Sequence, residues 1–268
     1  MKYLYFILLF CLLPLGAAAE LRLSGSFTQG GLLHGQVDPG TRVFYGDRAI
    51  KLTTGGHFII GFGRDAGREQ SLTLINPGGQ VVTEEIELAK RDYRIERING
   101  ISKKMMAPDD VALRRISNEA AQAKQARQFD SDLPNFSENF VWPVVGRISG
   151  IYGSQRIFNG EPRRPHFGID IAVPTGTPVQ APAGGVVRLA HKGMFFSGKT
   201  LIIDHGHGLS SSFLHLHKIR VKKGQTVQQG EKIAEVGATG RVTGPHLDWR
   251  INWFNERLDP ALLVPAIP

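Results

Sequence analysis

The sequence predicts a mainly β chain: an N-terminal β-sandwich-like domain, a helical connector, and a C-terminal compact antiparallel β domain. Three observations carry this. Pro/Gly turn signals recur roughly every 8–15 residues. Between them apolar and polar residues alternate, which is the period of a half-buried strand. A helical pattern stands between the two β-rich parts, after Pro108.

At the N-terminus, Lys2, the apolar run Leu4–Leu15 and the small residues Gly16-Ala-Ala-Ala19 read as a secretory signal peptide over 1–19. The run is short for a membrane span, so the mature chain is expected to have no transmembrane segment. Removing it takes away Cys11, the only cysteine, so the remaining core must stand without a disulfide; roughly 249 residues suffice for that. The formal charge of +8 suits an anionic setting such as a bacterial envelope. With no arginine-rich helix or aromatic-interleaved basic patch, nucleic acid is not an expected partner.

Residues 20–98 read as the sandwich, with Asp38-Pro-Gly40 and Asn76-Pro-Gly-Gly79 as turns. His34 and His57 have no acid at ligand spacing and read as structural or solvent-facing. This part is therefore expected to be non-catalytic, positioning the C-terminal domain or covering its groove. Residues 99–139 read as connector and linker. Asn99-Gly100 is a turn, and a helix opens at Pro108-Asp109-Asp110 and runs to about Phe129, with a thin stripe of Leu113, Ile116, Ala120 and Ala123.

Residues 140–268 are β-rich again, and the chemistry collects there. His166-Phe-Gly-Ile-Asp170, Leu214-His215-Leu216 and Gly244-Pro-His246-Leu-Asp248 place imidazoles and carboxylates in glycine-punctuated segments. Such a set, held on strands with one position open to water, suits zinc. In a strand His246 and Asp248 share a face. His205 and His191 read as turn residues, and Trp249 and Trp253 as core. Arg156 is a candidate for binding an acidic substrate group.

In order and spacing these motifs resemble the lysostaphin-type (LytM-like) zinc metallopeptidases, which cleave the cross-linking peptides of peptidoglycan. The resemblance covers about residues 140–265. It implies a LytM-like metallopeptidase domain, one Zn2+ ion, and export to the periplasm or cell envelope, with peptidoglycan peptides as substrate and envelope proteins as further partners. His166 and Asp170 match the first two metal ligands. His246 matches the first histidine of the closing H-x-H, and His215 the other catalytic histidine. Where the family has the second histidine, this chain has Asp248. As third ligand it would bring a second negative charge and lower the metal's Lewis acidity, with His207 and His217 as spare imidazoles. Two rival readings remain. A degenerate module would bind peptidoglycan or activate a partner hydrolase, although such relatives usually lose several motif residues. A lipoyl-type carrier would need a lysine at a hairpin tip, and that turn is missing. The leader makes one prediction: mass spectrometry of envelope protein should find a mature N-terminus near Glu20, and a full-length chain in the cytosol would contradict it.

Overall fold

The computed structural model describes residues 20–98, 109–158 and 160–267. The expected leader and the Asn99-Gly100 turn lie outside them. The first part forms two antiparallel sheets. One contains Arg22–Gly25, Leu32–Gln36 and His57–Gly61. The other runs in the order Arg48–Ile50, Arg42–Tyr45, Glu69–Ile75, Val81–Glu87. Alternation sets the faces: Leu72 and Leu74 are fully buried while Ser71 points out. The turn at Asn76-Pro-Gly-Gly79 needs Gly79, whose φ of 84° lets its N–H donate to Asn76 O at 2.9 Å.

The helix runs Asp110–Ala126, capped by Asp109, whose Oδ1 accepts from Ala112 N at 2.8 Å. It ends short of Phe129, and the expected stripe meets the sheet only in part: Ile116, Ala120 and Ala123 line the space beneath the helix. Leu113 is exposed, and the buried residues are Glu119 and Ala126. A polar anchor decides this: Glu119 Oε2 accepts from Phe195 N at 2.7 Å, and Arg115 holds Oε1 at 2.7 Å. The helix lies over the strands Gly185–Met194 and Gly198–Gly206.

The largest sheet has eight antiparallel strands. Its path is Thr226–Val227, Gly185–Met194, Gly198–Gly206, Leu209–Leu216, Leu247–Trp253, Ile169–Ala172 and Arg147–Gly150, with Glu256–Leu258 added on Leu247–Trp253. Register places Phe213 opposite Trp249 on the buried face, and Leu214 opposite Asp248 on the other. Two small three-stranded sheets flank it. One pairs Ile95–Ile98 in parallel with Gln155–Phe158 and so ties the end of the sandwich to the loop before His166.

One apolar core runs from the sandwich into the large sheet. Gly61 leaves room for the Cβ of Trp253 and for Leu258, and Tyr45 meets Trp253 at 6.1 Å between centroids. Arg48 stacks on Phe254 at 3.9 Å, and Arg91 pairs with Asp259 at 2.8 Å. Burying side chains such as Leu258 contributes roughly 1.5–3 kcal/mol each.

His205 sits in the strand Gly198–Gly206, fully buried, not in a turn. Its Nδ1 meets Gly184 O at 2.6 Å and its Nε2 meets Ser211 Oγ at 2.8 Å. Burial pushes its pKa down, so the folded state keeps the ring neutral while the unfolded chain can protonate it. Stability from this group is present above the unfolded value near 6.5 and is lost as pH falls below it, at about 1.4 kcal/mol per pH unit. Urea midpoints should therefore fall steadily from pH 6.5 to pH 5. A flat profile over that range would contradict the assignment.

Candidate metal centre

The strand Leu247–Trp253 brings its neighbours' acids together. Asp170 on Ile169–Ala172 stands directly opposite Asp248, which puts both carboxylates on one face. His166 precedes that strand in a loop fixed at two points: its N–H donates to Ser154 O at 2.9 Å, and its carbonyl accepts from Gly153 N at 2.7 Å. Ligand atoms of His166, Asp170 and Asp248 lie within 4.8 Å of one another. Two glycines make the space. A Cβ at Gly168 would sit 2.6 Å from Asp248 Oδ1, and one at Gly150 would collide with Asp170 Oδ2.

The arrangement fits zinc. His166 Nε2 is buried without a hydrogen-bond partner, and it stands 3.2 Å from Asp170 Oδ1. Two ligands about 2.0 Å from a tetrahedral ion are about 3.3 Å apart. One imidazole and two carboxylates are donors that zinc accepts.

Asp248 has a partner that the sequence reading missed. Arg250 holds it with two hydrogen bonds, Nε to Oδ1 at 2.8 Å and Nη2 to Oδ2 at 2.5 Å. Burial alone would raise the Asp248 pKa. The charge and hydrogen bonds of Arg250 outweigh it, helped by His166 and His215, and the carboxyl is held well below its usual range. The pair also changes the charge count: Arg250 offsets the extra negative charge that Asp248 brings. The signal was present in the sequence, because the period-two argument that joins His246 to Asp248 extends to Arg250.

Two histidines flank the acids. His246 Nε2 is 3.8 Å from Asp170 Oδ1, and its ring centroid is 4.9 Å from that of His215. Each Nδ1 faces a carbonyl: Gly244 O at 2.9 Å for His246 and Thr239 O at 2.9 Å for His215. A carbonyl only accepts, so in both rings Nδ1 carries the proton and Nε2 keeps a lone pair when neutral. Burial lowers the His215 pKa, which favours that neutral form. His215 has φ of 63°, a left-handed conformation that breaks the strand's alternation and costs roughly 1 kcal/mol or more. Thr239 holds the turn. Its Oγ1 donates to Leu216 O and accepts from Lys199 N, both at 2.9 Å.

The remaining candidates lie elsewhere. His207 stacks on Phe136 at 4.1 Å and faces Lys51 O, and His217 is exposed. Neither belongs to the cluster. His191 sits in the strand Gly185–Met194, where its Nδ1 accepts from Gly193 N. Arg156 is in the strand Gln155–Phe158, and its side chain lies outside the described residues.

The model of peptidase family M23 matches residues 164–260, which contain all five clustered residues. A Pseudomonas aeruginosa crystal structure assigned to peptidase M23 aligns over 90% of this chain and 96% of its own, at 30% identity and a TM-score of 0.71. The chain belongs to peptidase family M23. The family's members are metallopeptidases, and the match extends through the sandwich and helix as well as the M23 domain. Curated relatives include two Vibrio cholerae peptidoglycan DD-endopeptidases. ShyB is 37% identical over 55% of this chain and 30% of its own length, and ShyA 42% identical over 44% and 24%. The chain thus spans under a third of the curated relatives that it matches. No helix among the described residues is long and apolar enough to cross a membrane.

In this M23 chain Asp248 and Arg250 should act as a unit. Asp248→Ala should lower the zinc content of purified protein, measured by elemental mass spectrometry. Asp248→His alone should destabilise the fold by roughly 3 kcal/mol, because it strands a half-buried guanidinium. Adding Arg250→Glu should restore stability, since an imidazole ligand welcomes a carboxylate behind it. Equal urea midpoints for the single and double variants would contradict the coupling.

Proposed function

We propose that the chain is a zinc-dependent endopeptidase that hydrolyses peptide cross-links of peptidoglycan in the cell envelope. In this reading residues 20–98 form an accessory domain, 99–139 a connector, and 140–268 the catalytic domain. The observation that carries it is the cluster itself: His166, Asp170 and Asp248 converge beside two histidines whose Nδ1 atoms are both tied to carbonyls. The names of the relatives point to the same substrate.

His166, Asp170 and Asp248 would hold the ion. Zinc bound there supplies Lewis acidity for water and for the scissile carbonyl. The residues around it divide the proton work. His246, whose Nε2 stands 3.8 Å from Asp170 Oδ1, takes a proton from the attacking water at that nitrogen. His246 then returns that proton from Nε2 to the departing amine, while His215, kept neutral by burial, accepts a hydrogen bond from the attacking water at its own Nε2. Thr239 and Gly244 keep both rings in the tautomer that permits this. An extended peptide lies along the face of the sheet that carries Asp170 and Asp248. A second reading, a catalytically degenerate binding module, draws on the clasp of Arg250 around both oxygens of Asp248.

Digestion of purified sacculi separates the two. The mature chain with zinc should convert cross-linked dimers to monomers on liquid chromatography. His246→Ala should lower the rate at least about 100-fold, and Asp170→Ala should abolish it together with bound zinc. Unchanged sacculi with zinc-loaded wild type would leave the binding module.

A further inference from the structure

The face that carries Asp248 continues past Arg250 into a cavity of about 200 Å³ beneath the helix Asp110–Ala126. Three arginines line it: Arg127 at the C-terminal end of the helix, Arg250, and Arg257 on the strand Glu256–Leu258. Their partners are unequal. Arg250 is bound to Asp248, whereas Arg127 and Arg257 make no ion pair with an acid among the described residues. The acid in the lining, Glu119, has both oxygens occupied by Arg115 and the Phe195 amide. Ser212, opposite Arg250 in register, is buried, and its hydroxyl lacks a partner.

Unpaired donors in a half-buried space ask for an acceptor with negative charge. Burial and the neighbouring arginines push Arg127 down to about 10 and Arg257 to about 9, which is the mark of cations crowded without a counterion. Because Arg250 touches both Asp248 and this cavity, a ligand here is continuous with the metal centre.

We propose that this cavity is a carboxylate-binding subsite for an acidic peptide substrate, with Arg127 and Arg257 as its charge partners and the Ser212 hydroxyl as a further donor. It deepens the endopeptidase reading and rests on it for the substrate class. The carboxylate can come from the C-terminus of a stem peptide or from a side chain within it, and both offer the same acceptor oxygens.

Calorimetric binding to the full mature chain tests this with an uncross-linked stem tetrapeptide, its C-terminal amide and its side-chain amide. Wild type should bind one amide about tenfold more weakly than the free acid. The amide that loses affinity identifies the carboxylate. Arg127→Gln with Arg257→Gln should bind all three alike, at the weaker level, while Arg257→Lys keeps part of the discrimination. A purely structural arginine would lower the melting temperature on replacement. Here Arg127→Gln, which removes a repelled charge, should leave it unchanged or raise it. Wild type that binds all three peptides equally, or a double variant that still discriminates, overturns the proposal. Binding is read without hydrolysis, so a discriminating protein that leaves sacculi intact fails only the endopeptidase reading. A protein that cleaves without discriminating fails only the subsite.

Discussion

The pairing of Asp248 with Arg250 on the strand Leu247–Trp253 governs the site. A carboxylate this deeply buried would take up a proton without a cation beside it. Arg250 supplies that cation two residues along the same strand, where alternation guarantees the same face. Asp248 can then stay ionised opposite Asp170 without two bare negative charges meeting. A buried ion pair is weak evidence for stability, because the desolvation cost offsets most of its Coulomb gain. Its role here is local. It fixes the charge and position of a carboxylate at a point where a metal centre needs both.

The histidines are controlled by backbone, not by acids. Carbonyls of Gly244 and Thr239 select their tautomer, and the left-handed turn at His215 moves its ring out of the strand's alternation. Such carbonyls orient a ring without adding charge, so they leave the electrostatics of the centre to Asp170, Asp248 and Arg250. The strain at His215 is tolerated because Ser197 O, Thr239 and Leu216 hold the surrounding backbone.

Much of this was legible in the sequence, for physical reasons. Period-two alternation and Pro/Gly turns are local signals, so the sandwich and the strands around Asp248 could be read residue by residue. The motifs around His166, His215 and His246 could be read as a set because their order is specific. The helix was harder. Its apolar stripe placed Ile116, Ala120 and Ala123 over the sheet but also turned Leu113 inward, whereas Leu113 is exposed and a carboxylate on the same face, Glu119, makes the anchoring bond to a distant amide. Periodicity counts apolar residues and does not see such an anchor. His205 looked like a turn residue from its glycine neighbours. Its burial depends on Gly184 and Ser211, which only the sheet register brings near. Thr239 was silent for the same reason, since its partners, Lys199, His215 and Leu216, come from two other strands.

The strand Leu247–Trp253 also explains why the amino-terminal half is more than an attachment. Asp248 lies near one end and Trp253 at the other. At the first end, the bridge between Gly237 and His246 fixes where the strand begins. At the other, Trp253 packs against Tyr45, its indole N–H donates to His207 O, and Leu258 fills the space left by Gly61. A strand held only by its sheet neighbours can slip or fray, and a one-residue slip would send Asp248 and Arg250 to the opposite face. Anchoring Trp253 in a core shared with the sandwich removes that freedom. The sandwich carries none of the clustered side chains, yet it fixes the register on which the clustering of Asp170, Asp248 and Arg250 depends.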